Sequence, residues 1–379
     1  MNTVVGQTPT LLHIFSTFAV GGPQTRFATV VNRLGSKYRH LIVSMSGRTE
    51  AAGLLSPEVE YELVPTRNSG RNLLANILRY RGERIRRRPD MVVTYNWGAL
   101  EWAIANRFGP RLPSLHIEDG YGPDEAVRRF RRRVWLRRLG LGHKTTIVVP
   151  SRNLMRIATQ EWRFPETRLA YVPNGVDIAR FSAPVAPADR AFVKKRGEIV
   201  VGTCAALRKE KNLGRLISAF GACGAKDARL VICGDGPERQ ALESAAVGNG
   251  IASRVTFTGF LTEPERALCD FDVFAMSSDT EQMPIGLLEA MAAGLPAVAT
   301  DVGDIKSIVS QPNQAYVVNA ADTAALTGSL RTLLADPVLR GRLGEANRAK
   351  VRNEFSIDMM VAAYDRLFGQ SGVRRRAAA

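Results

Sequence analysis

Long hydrophobic runs are absent from this 379-residue chain. No window holds the roughly 20 consecutive apolar residues that a membrane-spanning helix needs. The opening stretch, Met1–Ser16, has no basic n-region and only a short apolar run. Neither a signal peptide nor an anchor is expected there, and the chain reads as soluble and unexported. Cysteine is scarce: Cys204, Cys223, Cys233 and Cys269 form no C-x-x-C pair and sit among apolar neighbours, as buried thiols in a reducing compartment do. Histidine is equally sparse. His13, His40, His116 and His143 are scattered, no metal-ligand cluster is visible, and no metal is expected. The dinucleotide fingerprint G-x-G-x-x-G is missing from AVGGPQTR, Ala19–Arg26, and from GDGPER, Gly234–Arg239, which counts against an oxidoreductase. No repeat with a period of about 20–50 residues stands out.

Positive charge, by contrast, is in excess. The net charge is +16, and residues 1–185 hold 28 Lys+Arg against 14 Asp+Glu while residues 186–379 hold 24 against 22. Such asymmetry points to a polyanionic surface on the first half, either nucleic acid or an anionic membrane. An apolar fraction of 45% is ordinary for a globular protein with real cores. The length suggests two domains.

Short apolar runs alternate with helix-length segments throughout, the pattern of parallel α/β architecture. In the first half the expected strands are Leu11–Ser16, His40–Met45, Val59–Val64, Met91–Tyr95, Ser114–Glu118, Thr145–Pro150 and Leu169–Pro173. FSAPVAPADRAFVKKRG, Phe181–Gly197, is rich in Pro, Ala and charge and reads as a linker. A second series follows at Glu198–Cys204, Arg229–Cys233, Val255–Thr258, Phe271–Met276, Pro296–Thr300 and Ala315–Val318. The simplest architecture is two doubly wound Rossmann-like domains facing a cleft, over residues 1–180 and 198–355. A C-terminal helix at 356–370 is expected to return to the first domain, followed by a disordered basic tail at 371–379.

The most informative stretch is EQMPIGLLEAMAAGLPAVATDVGD, Glu281–Asp304. A helix should start near Pro284, whose missing N–H suits a first turn, and stop at Gly294 with Pro296 beyond it. Apolar on nearly every side, that helix should be buried, yet it carries Glu289. An unpaired carboxylate there would cost several kcal/mol, on the order of a buried unsatisfied polar group or more, so something must bond it. Glu281 lies in the loop before the helix and Glu289 one turn inside, pointing back toward the amino end. The free N–H groups from Met283 and Ile285 onward, around Pro284, make a place for phosphate. The two carboxylates can then accept bonds from hydroxyls on either side. A nucleotide-sugar has this sequence of parts. The alternative is that Glu289 bonds a neighbouring backbone or arginine while Glu281 is solvated.

The segment resembles the E-x7-E region of the retaining family-4 glycosyltransferases, which have the GT-B fold. FAVGGPQTR, YVPNGVDIARF, LRKEKN, VICGDGPE, VTFTGF and LEAMAAGLPAVATDVGD are similar to further signatures of that family, in the expected order and over nearly the whole chain. The resemblance implies that Glu281 contacts the donor sugar, Glu289 the ribose, and Lys211 with a nearby arginine the diphosphate. Where the family has arginine before a leucine, this chain reads Ala206-Leu207, so Arg208 is the nearest substitute. Gln282 stands where glycine is common, and either touches the sugar or alters the loop. Gly259-Phe260-Leu261 corresponds to the stretch whose backbone meets the base, which makes Leu261 a donor residue. The family also places a histidine near the reacting sugar; His116 is the candidate, with a satisfied core histidine as the other reading. Enzymes of this kind are thought to react on one face, the leaving phosphate helping to deprotonate the acceptor, so Glu281 is read as an electrostatic and positioning residue.

Three features remain. Gly21 and Gly22 of AVGGPQTR let a backbone approach a phosphate or sugar closely, and Arg26 can add charge; an ordinary strand-to-helix turn is the plain alternative. DFD, Asp270–Asp272, matches the loose D-x-D pattern of metal-dependent sugar transferases but leads straight into a strand. DEAVRRFRRRVWLRRL, Asp124–Leu139, reads as a helix opened by acids, with Val127, Phe130, Val134 and Trp135 on one side and seven arginines around the rest. Arg128, Arg129, Arg131, Arg132 and Arg133 would hold an anionic membrane at about 1 kcal/mol each, unless the helix is simply a solvated surface element. The expectation is therefore a metal-independent retaining glycosyltransferase with no cofactor beyond a nucleoside-diphosphate-sugar co-substrate. Its acceptor is expected to be lipid-linked or a polysaccharide, at the inner face of the cytoplasmic membrane, with no nucleic acid partner. The alternatives are a sugar-nucleotide epimerase or phosphorylase, or a nucleic-acid-binding module on a degenerate transferase frame.

Overall fold

All of the apolar runs named above become strands of parallel sheets in the computed structural model, with ends shifted by two residues at most. The structure describes residues 8–65, 70, 72–108, 112–120 and 131–370. Among these the chain divides into two units, Met1–Pro173 together with the stretch from Met360, and Asn174–Met359.

The first unit carries β1 (Thr10–Phe15), β2 (Arg39–Ser44), β3 (Glu60–Val64), β4 (Met91–Tyr95), β5 (Ser114–Ile117), β6 (Thr145–Val149) and β7 (Leu169–Tyr171). They lie in the order β3-β2-β1-β4-β5-β6-β7. The second unit carries β8 (Ile199–Cys204), β9 (Ala228–Cys233), β10 (Val255–Gly259), β11 (Val273–Met276), β12 (Ala297–Thr300) and β13 (Val317–Val318), in the order β10-β9-β8-β11-β12-β13. Parallel strands need crossovers, and helices on both faces explain why β4, β11 and β12 are buried at every position instead of alternating. In each sheet the chain runs outward from one strand and then returns to that strand's other side. The strand order therefore reverses between β1 and β4, and between β8 and β11. Ligands of such sheets bind outside the carboxyl ends of the strands at that reversal.

The division falls at Pro173/Asn174 and not in the proline-rich stretch expected as a linker. Phe181 explains the difference: it is buried in the second unit's core and anchors that stretch, and Arg190 and Lys194 pair with Asp270 and Asp272 at 2.9 and 2.7 Å. Those same pairs settle the DFD triplet as the lead-in to β11; Asp272 also accepts from the backbone N–H of Val200. The C-terminal helix, Ile357–Gln370, seats Phe368 and Tyr364 in the first unit. There Asp365 accepts bonds from Tyr38 and Lys37. Among the described residues, no helix is long and apolar enough to cross a membrane.

Candidate active site

The loops leaving β8 and β11 meet at the reversal of the second sheet. Lys211, at the end of the β8 loop, places its ammonium 2.5 Å from Glu281 Oε1 in the β11 loop, and Ser278 Oγ donates to the same oxygen at 2.8 Å. The helix that follows is Ile285–Ala292, with Pro284 at its cap position and no side chain bonding its free N–H groups. Gly294 ends it in a left-handed conformation, as expected.

The loop is held from several sides. Thr300 Oγ1 donates to the Ser278 carbonyl at 2.6 Å, Ser277 Oγ to the Asn212 carbonyl at 2.9 Å, and Arg215 pairs with Asp279 at 2.7 Å. Asn174 Nδ2 donates to the Met283 carbonyl at 2.9 Å, fixing the residue just before the helix. Gly303 has φ 58°, and a Cβ there would lie 2.1 Å from the Glu281 carbonyl oxygen, so only glycine lets the β12 loop pass so close. Met283 and Pro284 are buried while Ile285 is half-buried, so the helix end is a fixed feature rather than a frayed one.

Glu289 is one turn inside. Burial pushes its carboxyl up to about 7; Arg180 pulls against this and Glu265 adds to it. Arg180 is itself committed to Glu265 through two bonds of 2.7 and 2.8 Å. No hydrogen bond from any described residue reaches the Glu289 carboxylate, on which Arg180 acts electrostatically. Arg208 is exposed, with an extended backbone and no side-chain partner among the described residues. Leu261 is half-buried against the same core as Met283 and Leu287, and its neighbour Phe260 is 70% exposed on the loop after β10.

The structure thus gathers Lys211, Glu281, Met283, Pro284, Ile285 and Glu289 at one helix end, with Arg208 and Leu261 on adjoining loops of the same sheet edge. Gly22 and His116 belong to the first unit. Gly22 opens the Gly22–Leu34 helix at the β1/β4 reversal, and a Cβ there would meet nothing within 4 Å. Arg26 of the same turn is 6% exposed and ion-paired with Asp119 at 2.5 Å, so its charge is spent inside the fold. His116 is corrected: it is 0% exposed in β5, with Nδ1 2.9 Å from Thr94 Oγ1 and Nε2 3.3 Å from Glu118 Oε2. Burial works against the Glu118 charge, yet Arg137 at 3.1 Å and His116 hold its carboxyl below the ordinary range. A ring so enclosed presents no nitrogen to a ligand; it is the satisfied core histidine.

Of the arginine-rich segment, the helix Arg131–Gly140 is described; Arg128, Arg129, Val127 and Phe130 lie outside the described residues, as does the side chain of Arg131. Arg132 is exposed, Arg133 lies over the Trp97 ring at 5.4 Å, and Arg137 is buried at 1%. Val134 packs inward, but Trp135, expected on the same side, is 62% exposed.

Sequence reasoning missed Asn174, Arg180 and Gly303, although YVPNGVDIARF and ATDVGD contain them. It also missed Asn96, which ends β4 with φ 56° and ψ −177°, a region otherwise kept by glycine. Asn96 Oδ1 accepts from the Asp119 backbone N–H at 2.8 Å, and its position in the chain gave no sign of this.

Two doubly wound parallel-sheet units are the architecture of the GT-B fold. The chain belongs to glycosyltransferase family 4: residues 20–180 match the model of Glycosyltransferase Family 4 and residues 198–336 that of Glycosyl transferases group 1. It is 28% identical over 365 residues to the lipopolysaccharide core biosynthesis glycosyltransferase LpsD of Rhizobium meliloti, covering 94% of this chain and 97% of that one. It is 32% identical over 244 residues to a GDP-mannose-dependent alpha-(1-6)-phosphatidylinositol monomannoside mannosyltransferase of Mycobacterium tuberculosis, covering 60% and 62%. The N-acetyl-alpha-D-glucosaminyl L-malate synthase of Bacillus anthracis is 26% identical, and the match spans 61% of each chain. Among solved structures, Anabaena Alr3699/HepE in complex with UDP superposes with a TM-score of 0.81 at 16% identity, covering 96% of this chain and 100% of its own. That is a likeness of fold.

Proposed function

We propose that this glycosyltransferase is a retaining, metal-independent enzyme that moves a sugar from a nucleoside-diphosphate sugar to a hydroxyl of a lipid-linked or polysaccharide acceptor. The observation that carries the reading is the helix end at Ile285, without a side-chain cap, with the Glu281–Lys211 pair in the loop before it and, a turn inside, Glu289, which no described residue hydrogen-bonds. The diphosphate lies against the N–H groups at Met283 and Ile285. Helix ends contribute about 0.3–1 kcal/mol, up to ~2 when partly buried, so cationic side chains must add to them. Lys211 supplies that charge from beside Glu281, and Arg208 extends from the same loop. Glu281 accepts bonds from hydroxyls of the donor sugar, and Glu289 from those of the ribose. During transfer the bond from the sugar's anomeric carbon to the phosphate oxygen breaks, the acceptor oxygen bonds that carbon, and its proton goes to the leaving phosphate. The protein residues position and stabilise charge without becoming the nucleophile.

The relatives' names support an acceptor from the cell envelope, since one builds lipopolysaccharide core and another acts on a phosphatidylinositol mannoside. Surface chemistry supports peripheral attachment to an anionic membrane. The Leu73–Arg87 helix exposes Leu74, Leu78 and Ile85 at 74%, 65% and 50%, spaced to share one face. Trp135 and Leu139 are exposed beside Arg132 on the Arg131–Gly140 helix. Apolar side chains rimmed by arginine suit a headgroup boundary.

The test is a donor panel of UDP-, GDP- and ADP-sugars with EDTA present, followed by proton NMR of the glycoside formed. Retained anomeric configuration and undiminished turnover in EDTA are expected. An inverted product, or loss of turnover restored by a divalent cation, would overturn the mechanism.

A further inference from the structure

At the amino ends of β5 and β6, opposite the sheet edge where Gly22 and Asn96 stand, the first unit has a cavity that the transfer reaction above does not use. It holds about 300 Å³ of empty space, part of it open to solvent, and Arg107, His143, Lys144, Asn106, Ser114 and Thr145 bring polar groups to it. No Asp or Glu is among its described lining residues. Ser114 and Thr145 open β5 and β6, are each 7% exposed, and have their hydroxyl oxygens 2.9 Å apart. One hydroxyl donates to the other, so the pair always keeps one hydrogen to give. Asn106 Nδ2 donates to the Leu112 carbonyl at 3.0 Å and its Oδ1 accepts from Arg84 at 3.2 Å, which leaves a second amide hydrogen.

The basic groups are placed by the turn between the Arg131–Gly140 helix and β6. Arg168 ties that turn down: its Nη2 donates to the Leu141 and Gly142 carbonyls at 2.7 Å and to that of Thr145 at 3.1 Å. Arg107 lies along Gly142, where a Cβ would come within 3.4 Å of its Cδ and Nε, and its Nη1 donates to the Leu139 carbonyl. His143 and Lys144 stand on the turn itself, exposed, and their side chains bond no described residue. The two guanidiniums are close enough to repel: burial lowers the Arg168 pKa and the charge of Arg107 lowers it further. An anion in the cavity is attracted by every one of these groups.

We infer that this cavity is a phosphate-binding site, apart from the carboxyl-end edges of both sheets, and that it takes a phosphate monoester or diester. A ligand facing only donors must be an acceptor, and one facing Arg107 and Lys144 must be anionic; His143 gives an N–H in either charge state. A phosphate has the several acceptor oxygens that donors from separate directions require, where a carboxylate has two. Phe108 and Leu139, 54% and 43% exposed, adjoin Arg107, one through the chain and the other through the bond to its carbonyl. An apolar tail fits beside them, so a phospholipid headgroup and a small soluble phosphate are two sources of the same chemistry.

His143 supplies the test. His13, His40 and His116 are each 0% exposed, so His143 is the one exposed histidine of the four. Its ring resonance reports on this cavity alone, whatever binds at the Ile285–Ala292 helix. The full chain is titrated with inorganic phosphate, and separately with dihexanoyl phosphatidylglycerol below its micelle concentration, while NMR follows that resonance at fixed pH and ionic strength. The expected result is a saturable shift with both probes, which Lys144→Ala weakens by about tenfold. Arg156→Ala removes the same charge from the Arg152–Gln160 helix, beyond the other end of β6, and should weaken it by about twofold at most, because salt screens so distant a charge. Tighter binding of the lipid upholds the site as one for a headgroup; equal or tighter binding of inorganic phosphate upholds it as one for a small phosphate. No saturable shift with either probe, or equal losses in Lys144→Ala and Arg156→Ala, would overturn it.

Discussion

Glu289→Gln should make the protein more stable and a poorer enzyme at once. Burial holds the Glu289 carboxyl at about 7 against an ordinary 4.5. Each pKa unit is worth about 1.4 kcal/mol, so keeping this group charged in the fold costs roughly 3 kcal/mol at alkaline pH. The sign follows from the direction: the folded pKa lies above the unfolded one, so the penalty is absent below about 4.5, grows through the interval, and is complete above about 7. An amide in the same place is desolvated too, at roughly 1–2 kcal/mol, which leaves a net gain of about 1–2 kcal/mol. For a unit of this size that is about 2–8 °C of melting temperature. The gain should vanish toward pH 5. Donor affinity moves the other way, because an amide replaces a charged acceptor worth about 1.5–3 kcal/mol per hydroxyl bond, or roughly 10- to 100-fold. Melting curves from pH 5 to 8 and calorimetry with the donor measure both. A variant that melts lower than wild type at pH 8, or binds donor as well, would refute the reasoning.

Glu281→Ala should cut turnover by about 100-fold, the size of losing one preorganised charge contact, while melting moves little; equal losses in both would make it structural. Gly303→Ala should displace the Glu281 loop and lower turnover by about tenfold or more, because a Cβ at φ 58° meets the Glu281 carbonyl; full activity would show that the loop yields freely. The first unit should lose stability in acid. His13 and His40 lie 3.0 Å apart, and burial first, with His40 adding for His13, keeps both pKa values low, that of His40 at about 4. Their neutral forms contribute stability that is whole above about 6.5 and drains away as pH falls toward 4, so a melting temperature flat from pH 7 to 5 would contradict the pairing. Leu74→Glu with Leu78→Glu should reduce sedimentation with anionic vesicles, and unchanged binding would remove that helix from the membrane surface.

Much of this fold was legible because it rests on period and punctuation. Buried parallel strands read as continuous apolar runs, and the Pro284 start and Gly294 stop bracket the Ile285–Ala292 helix in the sequence itself. Glu289 stood out as a charge in an apolar helix, and the structure leaves it without a described hydrogen bond. What stayed hidden depends on contacts between distant residues. Phe181 makes a proline-rich stretch part of a core, which composition does not reveal. His116 sits at a strand end beside two acids, as a catalytic histidine can, but Thr94 and Glu118 close over it only in the fold. Arg137 looks like one more member of a basic run until Glu118, 19 residues earlier, claims it.

The central claim is that the amino end of the Ile285–Ala292 helix grips a diphosphate between Glu281 and Glu289. A crystal structure with a nucleoside-diphosphate sugar tests it most directly. The account predicts phosphate oxygens within hydrogen-bond reach of the Met283 and Ile285 N–H groups, Lys211 turned toward them, and ribose hydroxyls on Glu289. A donor bound away from that helix end, or Glu289 facing no ligand atom, would contradict it.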